Sequence, residues 1–593
     1  MSKIETLNIK RHSLAHIMAA SIQEMFPEAK FGVGPVIEEG FFYDVYLNRA
    51  LTPEDLQAIE KRMREKVKQN LRFERSEIPL NTAINLFGDM SQSFKVELLH
   101  DLKSRGTTAV ADLGDANLVG GNVNEVSVYK TGDFTDLCRG PHVKETREID
   151  PDSFRLTRVS GAYWRGNQQR EQMQRVYGVA FDTKQELEEY FVRLEEAKKR
   201  DHRKLGRELG LFMFHPWAPG AAFWLPKGTT LYNTLGNYMR EVLFPAGYVE
   251  VKTPLIYNKA LWETSGHWSH YRQNMFQIAS DDEQMAVKAM NCPGHYLLFA
   301  SEVRSYRDLP IRFHEQTPLH RNEASGVLSG LTRVRQFSQD DAHCFVMPDQ
   351  IGQEVERLLG LLRRTYADFG LPFELKLGTR PAEFLGEVET WNEAEAQLKQ
   401  ALDRAGIPYE LNEGDGAFYG PKIDIYVTDA IGRKWQCATI QLDYMMPERF
   451  DLKYVGSDNA EHRVVVIHRA IFGSFERFIA ILVEHYAGAF PVWLAPVQAM
   501  VIPIADRHAA YCSQVKDRLT AAGVRTEIDT SIERMNAKIR NAQMQKIPYM
   551  LVVGDREQEQ GAVAVRLRSG EDLKTKSIEE FIAIAKDAIA RKK

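Results

Sequence analysis

Apolar positions along the chain switch repeatedly between a helical and a two-residue period, and the switches mark out its blocks. From Ile9 to Met25, Leu14, Ile17, Met18 and Ile22 fall at helical spacing, with His12 and His16 one turn apart on one face. Gly34–Leu47 alternates as strand does, around a turn at Glu38–Gly40, and Pro53–Gln69 reads as a helix. These elements belong to an α+β domain expected over residues 1–180. One charged helix is expected from Asp182 to about Lys204, opened by a capping box from Thr183 to Glu186 and striped by Leu187, Phe191 and Leu194. It makes residues 181–204 a linker.

Residues 205–491 form the next block, with a helix Thr230–Phe244, a proline-ended strand Gly247–Pro254 and a helix Asp349–Phe369. A smaller αβ insertion follows, then strands Ala417–Val427 and Lys434–Tyr444, then a buried strand turning into a helix that carries Arg477. Over residues 492–593 strands and helices alternate, which predicts a compact α/β domain with a mixed sheet.

Composition narrows the class. A chain of 593 residues is too long for one core. Its 44% hydrophobic and 26% charged content is that of a soluble globular protein. No apolar run reaches the roughly 18 residues of a membrane span, and the start lacks a secretory apolar stretch, so the cytoplasm is expected, with no membrane partner. Cys138, Cys292, Cys344, Cys437 and Cys512 are scattered and odd in number, which suggests no disulfide framework. A net charge of −5 argues against non-specific coating of nucleic acid but leaves room for a specific RNA.

The chemistry concentrates between His320 and His343. Strand-like segments, Leu309–Glu315 and Leu331–Phe345, flank a polar, cationic Ser/Gly turn, so a long-looped antiparallel hairpin is expected. Arginines Arg321 and Arg333 facing Glu323 suit ATP, the guanidinium for phosphate and the carboxylate for the adenine amine. Taken alone, the same residues describe a charged surface hairpin. His12 and His16 with Cys138 and His142 make a set that zinc accepts. With Lys95 and Asp136 beside them they would equally position water against an ester, and each histidine alone is a structural residue. The basic run KKRDHRKLGR is a solvated face or an RNA contact.

Together these segments resemble a known family. The Arg321-Asn322-Glu323 hairpin, the strand–helix HRAIFGSFER and GYVEVKTP resemble motifs 2, 3 and 1 of class II aminoacyl-tRNA synthetases. MNCPGH, SQDDAH, GAFYGPKID, VVVIHRA and DLCRGPH narrow the resemblance to the threonyl-tRNA synthetases, in the family's order over essentially the whole chain. The implied fold is an antiparallel class II catalytic sheet at 205–491, flanked by an α+β editing domain at 1–180 and an anticodon-binding α/β domain at 492–593. Bacterial members usually begin with a small ubiquitin-like domain, and this chain starts where that domain would end. Met445-Met446 stands where the family carries a polar residue and leucine.

The resemblance implies activation of threonine by ATP with Mg²⁺, transfer to tRNA(Thr), and hydrolysis of mischarged Ser-tRNA(Thr) by a cytoplasmic homodimer joined through motif 1. Arg321 would hold the α-phosphate, Glu323 the adenine amine and Arg333 the γ-phosphate. Phe337 and Arg477 would sandwich the base, with Gln436 against the nucleotide. Cys292, His343 and His468 would hold a zinc ion in each subunit. Gln339, Asp341, Tyr419 and Gln441 would bind threonine, and His267 would assist transfer. Editing would fall to His12, His16, Tyr43, Lys95, Asp136, Cys138 and His142, and anticodon reading to Glu557 and Arg566. A drug-insensitive second copy of the enzyme and a non-catalytic RNA-binding relative are the alternatives.

Overall fold

The computed structural model describes residues 3–106, 124–167, 169–280 and 283–593. Its contacts divide the chain into two units, Met1–Glu195 and Glu196–Lys593.

In the first unit the helix Lys3–Met25 starts one and a half turns before the expected Ile9, and Leu14, Ile17, Met18 and Ile22 are all fully buried. It packs on the strand Gly40–Tyr46, inside a sheet ordered Lys30–Phe31, Gly40–Tyr46, Gln172–Ala180, Phe154–Tyr163, with Val36–Ile37 hairpinned onto Gly40–Tyr46. The helix Pro53–Lys68 opens on a capping box: Thr52 Oγ1 accepts from the Asp55 amide at 3.3 Å and Asp55 accepts from the Thr52 amide at 2.8 Å. A second sheet, Glu74–Pro79, Glu125–Thr131, Phe134–Leu137, presents Asp136 and leads into the loop of Cys138 and His142.

The expected linker helix is two helices, Lys184–Arg200 and His202–Glu208. Asp201 causes the break. Its carboxylate accepts from the amides of Arg203 and Lys204 and starts a new helix instead of continuing the old one.

In the second unit an eight-stranded sheet runs in the order Val249–Glu250, Ile311–Glu315, Asp341–Val346, Val465–Ala470, Lys434–Asp443, Lys422–Thr428, Phe373–Gly378, Tyr409–Asn412. The outermost pairs are parallel and every inner pair is antiparallel. Two expected strands shorten. Gly247–Pro254 keeps only Val249–Glu250, because Thr253 turns to bond Glu315 with its amide (2.8 Å) ahead of Pro254. Ala417–Val427 begins at Lys422, because Ala417 and Gly420 bridge each other in a turn. The long hairpin is interrupted but present: Ile311–Glu315 pairs with Asp341–Val346, and Pro318–His320 with Gln336–Ser338. Helices Pro226–Leu243, Ile351–Asp368 and Phe475–His485 supply buried faces to the core shared with this sheet.

The C-terminal sheet runs Thr526–Ile528, Ala499–Pro503, Tyr549–Val553, Ala562–Leu567, Asp572–Ser577, parallel at first and antiparallel at the end, hence mixed as expected. The polar edge strand Asp572–Ser577 and the short helix Asp555–Glu559 carry no apolar rhythm and escaped the pattern.

Gly228 lies in the first turn of Pro226–Leu243, where an added Cβ would collide with the Leu211 carbonyl. Alanine is the better helix former. Gly228→Ala should nevertheless destabilise by about 1–3 kcal/mol, the cost of overpacking against backbone. Urea unfolding would show a lower midpoint; an unchanged or higher one would mean that the helix start yields freely.

Candidate active site

Register in the eight-stranded sheet decides which side chains meet. His343 stands opposite His468, and His468 opposite Gln441. Asp341 lies two residues before His343 and so shares its face. Cys292 arrives from elsewhere, as the first residue of the helix Cys292–Ala300. The ligand atoms of Cys292, His343 and His468 lie within 4.8 Å of one another, so the three form a group that could hold a metal ion.

Hydrogen bonding sets both imidazole tautomers. His295 Nε2 faces Glu315 Oε2 at 3.1 Å, and Glu315 also accepts from the Thr253 amide, Lys288 and Thr317. Facing a carboxylate, His295 Nε2 carries a proton, so its Nδ1 accepts from His343 Nδ1 at 2.8 Å. The free lone pair of His343 is then on Nε2. His468 Nε2 gives its proton to Asp443 Oδ2 at 2.9 Å, which leaves a lone pair on Nδ1. These two lone pairs face each other at 3.0 Å beside a buried thiol, an arrangement that a cation stabilises. The donor set of one sulfur and two nitrogens, each nitrogen backed by a second partner, fits zinc.

Asn291 Nδ2 donates to Asp341 Oδ2 at 3.0 Å. Tyr419 lies over His468, ring centres 5.5 Å apart, and Gln441 is buried. Met446 packs with Cys292 and Tyr296, and the amides of Met445 and Met446 hold Asp443 Oδ1 at 2.8 and 2.9 Å. The unusual pair therefore lies behind the ligands. His267 is buried, its Nδ1 2.7 Å from Ser265 Oγ, whose own proton goes to the Trp262 carbonyl. Nε2 is therefore the bare nitrogen, without a protein partner, and burial holds the imidazole down to about 4.

A cleft of ≈ 540 Å³ is lined by Arg321, Glu323, Arg333, Phe337, Gln436 and Arg477. The cleft thus gathers every residue expected at the nucleotide. Arg321 sits 5.0 Å from the Phe337 ring centre, and the buried Nε of Arg477 has no partner. Glu323 and Arg333 pair with each other at 2.9 Å. Gln339, expected with the amino acid, also lines this cleft and bridges Ser474. Sequence reasoning missed Asn291, His295, Tyr296, Asp443, Glu315 and Lys288. Asn291 and His295 lie inside MNCPGH and Asp443 inside QLDY, but nothing local distinguishes Glu315 or Lys288.

In the first unit the expected editing residues all converge. His12 Nε2 and His142 Nε2 lie 3.3 and 3.4 Å from Cys138 Sγ. Lys95 bonds Asp136 Oδ1 at 2.7 Å and the Tyr43 hydroxyl at 3.0 Å, and that hydroxyl donates to Asp136. His16 Nε2 is 3.6 Å from Asp136, its Nδ1 without a partner. Burial, with Asp136 next, pushes the Cys138 thiol up to about 12, and burial holds His12, His16 and His142 below the usual imidazole range. A pocket of ≈ 50 Å³ opens onto His12, His16, Tyr43, Lys95, Asp136 and Cys138, room for one or two waters. His12, His16, Cys138 and His142 also form a group that could hold a metal.

Glu557 spends its carboxylate on the Gly554 amide (3.0 Å), and Arg566 is exposed on the strand Ala562–Leu567.

Three family descriptions match the chain: "tRNA synthetase class II core domain (G, H, P, S and T)" over residues 275–486, "Anticodon binding domain" over 498–588, and "Threonyl and Alanyl tRNA synthetase second additional domain" over 126–177. A threonine–tRNA ligase of Myxococcus xanthus is 51% identical over 98% of this chain and 89% of its own length, and one of Clostridioides difficile is 47% identical over 99% and 89%. The chain belongs to the threonine–tRNA ligase family. Among solved structures, the RNA binding domain of threonyl-tRNA synthetase from Cryptosporidium parvum is 44% identical, with a TM-score of 0.64 over 65% of this chain and 98% of that one. A putative threonyl-tRNA synthetase of Aeropyrum pernix is 28% identical, with a TM-score of 0.59 over 66% and 96%. The eight-stranded sheet is thus a class II synthetase core, that of an aminoacyl-tRNA ligase. Among the described residues no helix is long and apolar enough to cross a membrane.

One acid of this threonine–tRNA ligase core carries a pH signature. Glu476, beside Arg477, is buried with the Ser338 amide at 3.0 Å and the Tyr232 hydroxyl at 3.5 Å, and burial outweighs these and its own amide to raise its carboxyl to about 8. The folded chain then keeps a proton that the unfolded chain, at its ordinary value of 4.5, releases. Stability from this group falls as pH rises from about 4.5 to 8. Glu476→Gln should therefore gain melting temperature over the parent as pH rises across that window. A constant difference between the two proteins would contradict a protonated Glu476.

Proposed function

We propose that this chain is a cytoplasmic threonine–tRNA ligase with a proofreading site. What carries this is the pair of facing lone pairs on His343 and His468, brought together by strand register two residues beyond Asp341, with Gln339 two residues before that lining the arginine-rich cleft. In the first step a threonine carboxylate oxygen attacks the α-phosphorus of ATP, and the bond to the bridging oxygen breaks as pyrophosphate leaves. Such chemistry needs position and charge more than covalent help. Arg321 holds the α-phosphate with Gln436 beside it. Phe337 and Arg477 take the adenine between them. Arg333 turns from Glu323 to the γ-phosphate, which frees Glu323 to accept from the adenine amine. Mg²⁺ enters with the phosphates through few protein ligands.

Cys292 Sγ, His343 Nε2 and His468 Nδ1 would hold zinc. Bound there, it would supply room for two further donors, which the amino and hydroxyl groups of threonine offer together and valine does not; an apolar pocket alone separates such near-isosteres only about a hundredfold. Asp341, fixed by Asn291, accepts from the N–H groups of the amino nitrogen, while Gln441, Tyr419 and Gln339 close around the side chain. In the second step a ribose hydroxyl of tRNA(Thr) attacks the carbonyl and AMP leaves. His267 Nε2, bare and aimed by Ser265, takes the hydroxyl proton.

Serine keeps the hydroxyl and needs a second sieve. In the first unit a water oxygen attacks the seryl ester carbonyl, the bond to the ribose oxygen breaks, and the water's proton passes to that oxygen as serine leaves. His12, His16, Cys138 and His142 surround the water, and the Lys95–Asp136–Tyr43 cluster holds the ester. The C-terminal domain takes the anticodon, with Glu557 and Arg566 near its bases. Homodimerisation through motif 1 draws support from Phe244, Val249, Leu255 and Ile256, which expose 44–58% of their surface around the edge strand Val249–Glu250.

The metal-loaded protein should catalyse threonine-dependent exchange of pyrophosphate into ATP, and Cys292→Ser should lose roughly one zinc per chain with that exchange. Exchange absent from the parent protein rules out the ligase; zinc retained in Cys292→Ser rules out this ligand set. The double variant His12→Ala, Cys138→Ala should accumulate Ser-tRNA(Thr) while forming Thr-tRNA(Thr) at the parent rate. Continued clearance of the seryl ester would place editing elsewhere.

A further inference from the structure

The basic run at the second unit's start hides a buried residue. His202, first in the helix His202–Glu208, is 4% exposed although Arg200, Arg203 and Lys204 surround it in sequence. Its ring is bonded at both ends. Nε2 lies 3.0 Å from the Leu331 amide nitrogen. An amide only donates, so Nε2 carries the lone pair and Nδ1 the ring's proton. Nδ1 passes that proton to Glu484 Oε1 at 2.7 Å, and Glu484 also accepts from the His202 amide at 3.1 Å and from Arg433.

The two partners belong to the two arms of the nucleotide cleft. Glu484 is on the helix Phe475–His485, about two turns beyond Arg477 and rigidly joined to it. Leu331 is buried and lies within the turn that presents Arg333. Ser329 and Arg333 bridge that turn through 3.1 and 3.3 Å backbone bonds. Between them Gly330, at φ 51°, lies against the ring, and a Cβ there would collide with His202 Nε2. The turn is thus shaped to the imidazole.

We propose that His202 is a positioning residue for the nucleotide, tying the Arg333 turn to the Arg477 helix so that one guanidinium meets the γ-phosphate while the other covers the adenine of the same ATP. It rests on the ATP reading of the cleft but touches no reacting atom. Asparagine can reproduce the Nδ1 donor but cannot reach Leu331; glutamine can reproduce the Nε2 acceptor.

Threonine-dependent pyrophosphate exchange tests it on the full-length, metal-loaded protein. His202→Asn should raise the KM for ATP about tenfold, the effect of one lost bond to an anchoring amide, with the KM for threonine unchanged. His202→Gln should recover most of the loss. Because a histidine this buried could be needed for folding, Gly330→Ala gives a second route. It displaces the turn from the ring, leaves His202 in place, and should raise the ATP KM in the same selective way. Both variants binding ATP as the parent does, or losing ATP and threonine affinity alike, would overturn the proposal. Failure of the parent protein to exchange at all would instead strike the function proposed above.

Discussion

A buried ion pair holds the catalytic unit's two key strands together. Asp340 accepts from the amides of Ile471 and Phe472 at 2.8 and 2.9 Å and from Arg469 at 3.1 Å, and Arg469 also donates to the Asp340 carbonyl. Both side chains are essentially inaccessible to water. Removing either partner would strand a buried charge, typically at a cost of about 3–5 kcal/mol. What the pair secures is register. Its Asp340 lies just ahead of the strand Asp341–Val346 and its Arg469 next to His468 on the strand Val465–Ala470, where a slip of one residue would turn the candidate side chains to the wrong face.

With register secured, each half of the chemistry is built from opposite ends of the same hairpin. Arg321, Glu323 and Arg333 line the cleft near the tip of the hairpin; Asp341 and His343 stand at its base, His343 within the possible metal-holding group. Polar groups buried behind them fix proton positions. The Glu315–His295–His343 relay and the Asp443–His468 bond leave lone pairs facing inward without any change in backbone. The first unit uses the same device: His12 Nδ1 meets the Pro141 carbonyl and His142 Nδ1 meets Ser13, so both Nε2 atoms face Cys138.

Local signals were strong where chemistry and secondary structure coincide. Leu14, Ile17, Met18 and Ile22 announced their helix because a helix buried on one side must repeat its apolar residues. MNCPGH, SQDDAH and DLCRGPH carried the ligand-type residues themselves. Polar features with no periodicity stayed silent, such as the break at Asp201 and the edge strand Asp572–Ser577. His202 was read with the solvated basic face it adjoins, because its partners Leu331 and Glu484 are remote in sequence.

The sequence by itself determined the family, most of the apolar elements and the candidate residues of both sites, since apolar periodicity and short motifs are written in neighbouring residues. Only the tertiary structure decided which nitrogen of each histidine is free, that Gln339 lines the arginine-rich cleft, and that Glu323 and Arg333 pair with each other. Those outcomes depend on strand register and on buried partners such as Glu315, Asp443 and Asp340, contributed by segments far apart in the chain. No local pattern encodes such a meeting.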